Sequence, residues 1–129
     1  MGRMNIHGRA VTFINLHFDH KEGAKQVQNV LRWLDDVTPP VVLIGDLNYR
    51  PDDPLLKPFE HRLTDTCQMV HTDLSREANV RGTLLKENIR VDYILVEPQF
   101  FTVQEAGLIP GSHRKVSDHI GYFADVVLK

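Results

Sequence analysis

The chain has 129 residues, 42% of them hydrophobic and 25% charged, which is the profile of one globular domain and excludes a disordered or fibrous segment. Cys67 stands alone, so no internal disulfide framework is possible, and 15 basic against 17 acidic residues give a formal charge of −2, which excludes a global attraction to nucleic-acid phosphates. No apolar run reaches the roughly 20 residues of a membrane span and the N-terminus has no signal-type stretch, so a cytoplasmic single domain over 1–129 is expected.

Residues 9–18 are rich in β-branched and aromatic types and too short for a helix, and predict a strand. Over 23–37 the period changes to 3.6. Val27, Val30, Leu31, Leu34 and Val37 share a face, with Lys25, Gln28, Arg32 and Asp35 off it, which predicts an amphipathic helix. Pro39-Pro40 stops it, since neither residue donates a backbone hydrogen bond. Val41-Val42-Leu43-Ile44 is a continuous apolar run, the pattern of a strand covered on both faces. The proline-broken polar stretch 45–54 is a loop at that strand's carboxyl end. A short helix is expected over 54–61, with Leu55, Leu56 and Phe59 on one face behind Pro54. Residues 71–90 have few large apolar side chains and predict a long exposed loop. Its Arg76, Arg81, Lys86 and Arg90, like His113, Arg114 and Lys115 further on, are expected to be ordinary solvated surface charge. Strands follow over 91–96, 100–106 and 120–128. The order β-α-β-α-β-β-β is α/β or α+β, a mixed sheet with helices on one face.

Some polar residues sit where a sheet gives them no purpose. Asp46 and Asn48 directly follow a buried strand, where short polar side chains close a turn or, two apart on an extended chain, point to one side. Asp92 interrupts the strand Arg90-Val91-Asp92-Tyr93-Ile94, and an inward carboxylate there needs a partner. Ser117-Asp118-His119 opens the last strand, and His17 lies near the end of the first.

A strand-end His, Gly45-Asp46-Leu47-Asn48, Arg90-Val91-Asp92-Tyr93-Ile94 and Ser117-Asp118-His119, in that order, resemble the endonuclease/exonuclease/phosphatase superfamily from about residue 10 to 128. The resemblance implies an α/β (α+β) sandwich, and specifically the C-terminal half of the deoxyribonuclease I-like four-layer sandwich, since family domains are about twice this long. It implies a metal-dependent phosphoester hydrolase of unspecified substrate. Asp46 would activate the water, Asn48 would orient it or hold a phosphoryl oxygen, and Asp92 paired with His119 would stabilise the phosphoryl oxygens. His17 would line the phosphate or leaving-group side, and Asp118, with Asp46 as a further candidate, would hold Mg²⁺ or Mn²⁺. The glutamate that is a principal metal ligand in the family has no counterpart, because residues 1–16 contain no Asp or Glu, so weak metal binding is expected. Tyr49 replaces a residue that is commonly small in the family, and would either narrow the site or stack on a substrate ring. A half-sandwich would expose an apolar sheet face, so a homodimer through that face, or an N-terminal half, is the expected partner. The competing reading is a non-catalytic half-domain kept as a homodimeric structural or binding module.

Overall fold

The computed structural model describes residues 1–71, 82–109, 111 and 116–129. In chain order its elements are β1 (Gly2–Ile6), β2 (Arg9–His17), α1 (Gly23–Asp36), β3 (Val41–Asp46), a 3₁₀ helix (Lys57–His61), β4 (Thr64–Asp65), α2 (Thr66–Val70), β5 (Asp92–Val96), β6 (Phe101–Leu108) and β7 (Tyr122–Leu128). A mixed sheet runs in the order β1-β2-β3-β5-β4, with β6 and β7 paired separately as an antiparallel hairpin. β2 and β3 are parallel, which requires a crossover, and α1 supplies it. Among the described residues no helix is long and apolar enough to cross a membrane.

Side chains alternate across the sheet, and this explains the unbroken apolar run of β3. Val41 and Leu43 pack beneath α1 with Ile14, Val27, Val30, Leu34 and Phe59. Val42 points the other way, into a second cluster with Val11, Val96 and Phe101. Burying both faces leaves no polar alternation in the strand. The helix forms on the face read from its period, with Leu31 and Val37 packed at its margin.

Several boundaries differ from expectation. The helix expected over 54–61 is a 3₁₀ turn over Lys57–His61, because Pro51, Pro54 and Pro58 leave too few donors for a regular start. β1, β4 and α2 carry no apolar pattern that would announce them: β1 is an exposed edge strand and β4 has two residues. The exposed excursion holds over 85–88, Lys86 included, and is corrected at its ends, where Gly82, Thr83 and Arg90 are buried. Thr83 is 0% and Arg90 1% exposed, and Arg90 forms a buried ion pair with Asp65, with Tyr93 stacked beneath the guanidinium at 4.6 Å. Arg76, Arg81, His113, Arg114 and Lys115 lie outside the described residues. The second face of the sheet is partly covered, because Phe101, Val103, Val126 and Leu128 of the β6–β7 hairpin join its cluster.

Candidate active site

Register builds the site. His17 of β2 lies opposite Asp46 of β3, and Asp46 lies opposite Asp92 of β5, so three polar residues form one row across three strands. Directly paired residues project to the same face. One step inward the row is Asn15, Ile44 and Ile94, and the next is Phe13, Val42 and Val96, so polar chemistry is confined to one end of an otherwise apolar face. Gly45 makes this register possible. Its φ is +140° and a Cβ there would stand 1.9 Å from the Leu16 carbonyl oxygen, so only glycine lets β3 approach β2 just before Asp46. Leu47 is fully buried in the α1-side core and fixes the other side of the turn.

His119 arrives from a different segment. Its backbone bridges Leu84, the Leu85 N–H donates to the Asp118 carbonyl, and the His119 N–H donates to the Ser117 hydroxyl. This sets His119 Nδ1 at 2.8 Å from Asp92 Oδ2 and Nε2 at 3.9 Å from Asp46 Oδ2. His17 Nε2 lies 3.6 Å from the same Asp46 oxygen and is exposed. The other oxygen, Oδ1, accepts the Asn48 N–H at 2.8 Å. That is an Asx turn, so the turn-forming role of Asp46 and its exposure to two imidazoles coexist, one oxygen to each. Asn48 adopts left-handed backbone (φ 56°), and its side-chain amide donates to the Phe18 carbonyl at 2.6 Å. It therefore does not extend beside Asp46, but ties the two loops together.

The charges are strongly coupled. Burial pushes the Asp46 carboxyl above the usual carboxylate range, and the nearby Asp92 charge adds to this, against the Asn48 hydrogen bond and the two imidazoles. For His119 burial works downward, but the hydrogen bond and charge of Asp92, with Asp46 and Asp118 behind, outweigh it and hold the imidazole above its ordinary value. Burial thus favours the protonated form of Asp46, and its carboxylate neighbours favour the charged form of His119, the kind of displacement that marks groups used in acid and base chemistry.

Asp46, Asp92 and His119 each bring a ligand atom within 4.8 Å of the others, the group among the described residues that could hold a metal ion. Two carboxylates suit a hard divalent cation. The imidazole ligates only as the free base, which its raised pKa opposes, so the carboxylates carry the fit. Asp118 is exposed and stands outside this group, acting on His119 through its charge. Tyr49 is engaged within the fold, against the start of α1. Its ring lies where a Cβ on Gly23 would fall, and its hydroxyl donates to the His20 carbonyl at 3.0 Å. Tyr93, buried beneath, donates to the Tyr49 carbonyl at 2.7 Å. Sequence reasoning missed this pair of pins and the role of Gly45; a glycine directly before a strand-end aspartate was the available signal.

The fold has counterparts in solved structures. Human Nocturnin catalytic domain with bound sulfate superposes with a TM-score of 0.67 at 20% identity, covering 95% of this chain and 49% of that one. A mannosyl-6-phosphatase from Bacteroides thetaiotaomicron gives 0.65 at 24% identity, over 94% and 52%. D. rerio TDP2 complexed with a single-strand DNA product gives 0.76 at 18% identity, over 97% and 59%. At these identities the likeness is one of fold, and the chain spans about half the length of the structures it matches. A comparison with curated proteins finds no match. The Endonuclease/Exonuclease/phosphatase family pattern matches residues 11–119, which contain every residue of the row and of the His119 segment. The chain belongs to the endonuclease/exonuclease/phosphatase family.

Proposed function

We propose that the chain is the C-terminal half of a divalent-metal-dependent phosphoester hydrolase. The observation that carries this is the gathering of Asp46, Asp92 and His119, from three separate segments, at one end of an apolar sheet face. The family's solved members here include a mannosyl-6-phosphatase and a protein holding a DNA product, which supports phosphoesters as the substrate class.

In this reading Asp46 Oδ2 takes a proton from the attacking water. Burial makes that oxygen a stronger base than a solvated carboxylate, and the Asn48 N–H fixes the carboxylate plane. His119 presents an imidazolium, held by Asp92, to the phosphoryl oxygens as their negative charge grows. His17, exposed beside Asp46, lines the leaving-group side. Mg²⁺ or Mn²⁺, held by the carboxylates of Asp46 and Asp92 with Asp118 outside the group, would supply charge neutralisation of the phosphoryl group. Three protein ligands at most leave half of a six-oxygen shell to water and substrate, so binding is expected to be weak.

The test is hydrolysis of a generic phosphodiester and a phosphomonoester with Mg²⁺ or Mn²⁺, against Asp46→Asn and His119→Gln. Turnover that disappears in both variants supports the reading, and turnover retained in either rejects the assignment. The second reading, a non-catalytic half-domain serving as a structural or binding module, is favoured by the apolar sheet residues Phe13, Ile44 and Ile94, which stay only partly buried on the face that carries the polar row. Absence of both metal binding and turnover would select it.

A further inference from the structure

The Asp92–His119 pair joins two segments 27 residues apart in sequence, and a 2.8 Å contact between them requires something to hold both backbones. One residue touches both. Thr83 is 0% exposed. Its hydroxyl oxygen accepts the Val91 N–H at 2.8 Å and the Asp92 N–H at 3.1 Å. Its carbonyl accepts the Ile120 N–H at 2.7 Å, the residue after His119. The next residue, Leu84, bridges His119 itself.

We infer that Thr83 is a positioning residue that locks Asp92 and His119 into their hydrogen-bonded pair. The inference deepens the catalytic reading of that pair and rests on it for its effect on turnover. The physical reason is backbone accounting. Two N–H groups at the start of β5, that of Val91 buried and that of Asp92 partly buried, need acceptors, and one side-chain oxygen serves both, so the strand end that carries Asp92 is fixed to the Thr83 peptide. The same peptide fixes the entry to β7 through its carbonyl. Asp92 and His119 are thereby referenced to one residue, and their separation does not depend on the length or motion of the chain between them. Thr83 reaches no reacting group, so its action is wholly through the pair, in the way that outer-sphere partners orient catalytic groups elsewhere.

Three variants separate positioning from packing. Thr83→Val keeps the shape and removes the oxygen; Thr83→Ser keeps the oxygen and removes the methyl group. In ¹⁵N-histidine-labelled protein, the proton on His119 Nδ1 is read directly by NMR, with Asp92→Asn as the reference for a broken pair. The expected result is a sharp, downfield-shifted signal in the parent and in Thr83→Ser, lost in Thr83→Val while circular dichroism shows the fold retained. In turnover, kcat should fall roughly 10–100-fold in Thr83→Val with KM little changed, and Thr83→Ser should recover it. A parent-like signal in Thr83→Val, or its loss in Thr83→Ser, overturns the inference. Should Thr83→Val fail to fold, amide exchange in Thr83→Ser carries the test: a protected Asp92 N–H supports the lock and an unprotected one rejects it. The spectroscopic and exchange arms need no turnover, so an inactive parent chain counts against the proposed function and leaves this inference standing on its own result.

Discussion

Asp46 carries a cost that its proposed role as general base would explain. A carboxyl whose folded-state pKa lies above its unfolded value binds its proton more tightly in the native protein, so stability falls as pH rises from the ordinary carboxylate value through the raised one. At neutral pH the ionised group strains the fold. Asp46→Asn keeps an acceptor for the Asn48 N–H and removes the charge. The expected outcome is a higher Tm at pH 7 than the parent, together with a loss of turnover of about 10²–10⁴-fold, the usual worth of a positioned general base. A lowered Tm would show that the carboxylate is structural. His119 follows the opposite logic of a cation. Its folded pKa is raised, so its contribution is fully present below about pH 6.5, the unfolded value, and is lost as pH rises through the folded value. Urea unfolding of the parent and of His119→Gln at several pH values should show the parent's advantage shrinking across that window; a gap that widens with pH would contradict the Asp92 pairing as its cause.

At the scale of elements, one polar clamp holds the end of the sheet remote from the site. Glu97, 1% exposed, accepts the Val41 N–H at 2.7 Å and the Arg62 Nε at 2.6 Å. The Arg62 guanidinium also donates to the Leu34 and Val37 carbonyls at the end of α1. It thus joins the start of β3, the end of β5, the end of α1 and the 3₁₀ helix. Arg62→Ala leaves a buried carboxylate without its cation, and a loss of about 3 kcal/mol in urea unfolding is expected, at the low end for buried pairs because Arg62 is partly exposed. Arg62→Lys should recover little, since an ammonium cannot reach three acceptors as a planar fork does. A loss within about 0.5 kcal/mol, the size of an ordinary surface substitution, would show the clamp to be incidental. None of this is legible in the chain order of residues, whereas α1 is, because Val27, Val30 and Leu34 repeat at its own period. β3 and β5 are legible as apolar runs. β1 is not, since its residues are exposed and its register comes from β2. The site follows the same division. Asp46, Asp92 and His119 stand in short motifs, but Thr83 matters through three hydrogen bonds to two other segments, and no local pattern encodes those.

The whole molecule poses a question of area. The β6–β7 hairpin covers part of the sheet face that carries the site, yet Met4 remains 57% exposed and Phe13, Ile44 and Ile94 only half-buried. Ile44 and Ile94 lie one step from the polar row of His17, Asp46 and Asp92 in register, Phe13 lies two steps away, and Met4, opposite Val11, lies at the far end of the same face, so the apolar patch runs along the face up to the candidate active site. A stable interface needs about 800 Å² from each partner, and a sheet face of this kind supplies a flat, self-complementary surface when related by a two-fold axis. We propose a second copy of this chain as the cover. Light scattering between low and high micromolar concentration should then give twice the 14.8 kDa mass of the chain. Met4→Lys is the decisive variant. Met4 is too exposed in the single chain for the change to cost more than about 0.5 kcal/mol there, but in the dimer it would bury a charge, so dissociation with an unchanged circular dichroism spectrum is expected. A parent that stays at 14.8 kDa throughout, with the patch binding a hydrophobic dye, would reject the second copy and point to an N-terminal half as the covering layer. The same experiment bears on the metal, because a dimer brings a second surface to the edge of the polar row, and cation binding that strengthens with protein concentration would place the missing ligands on that surface.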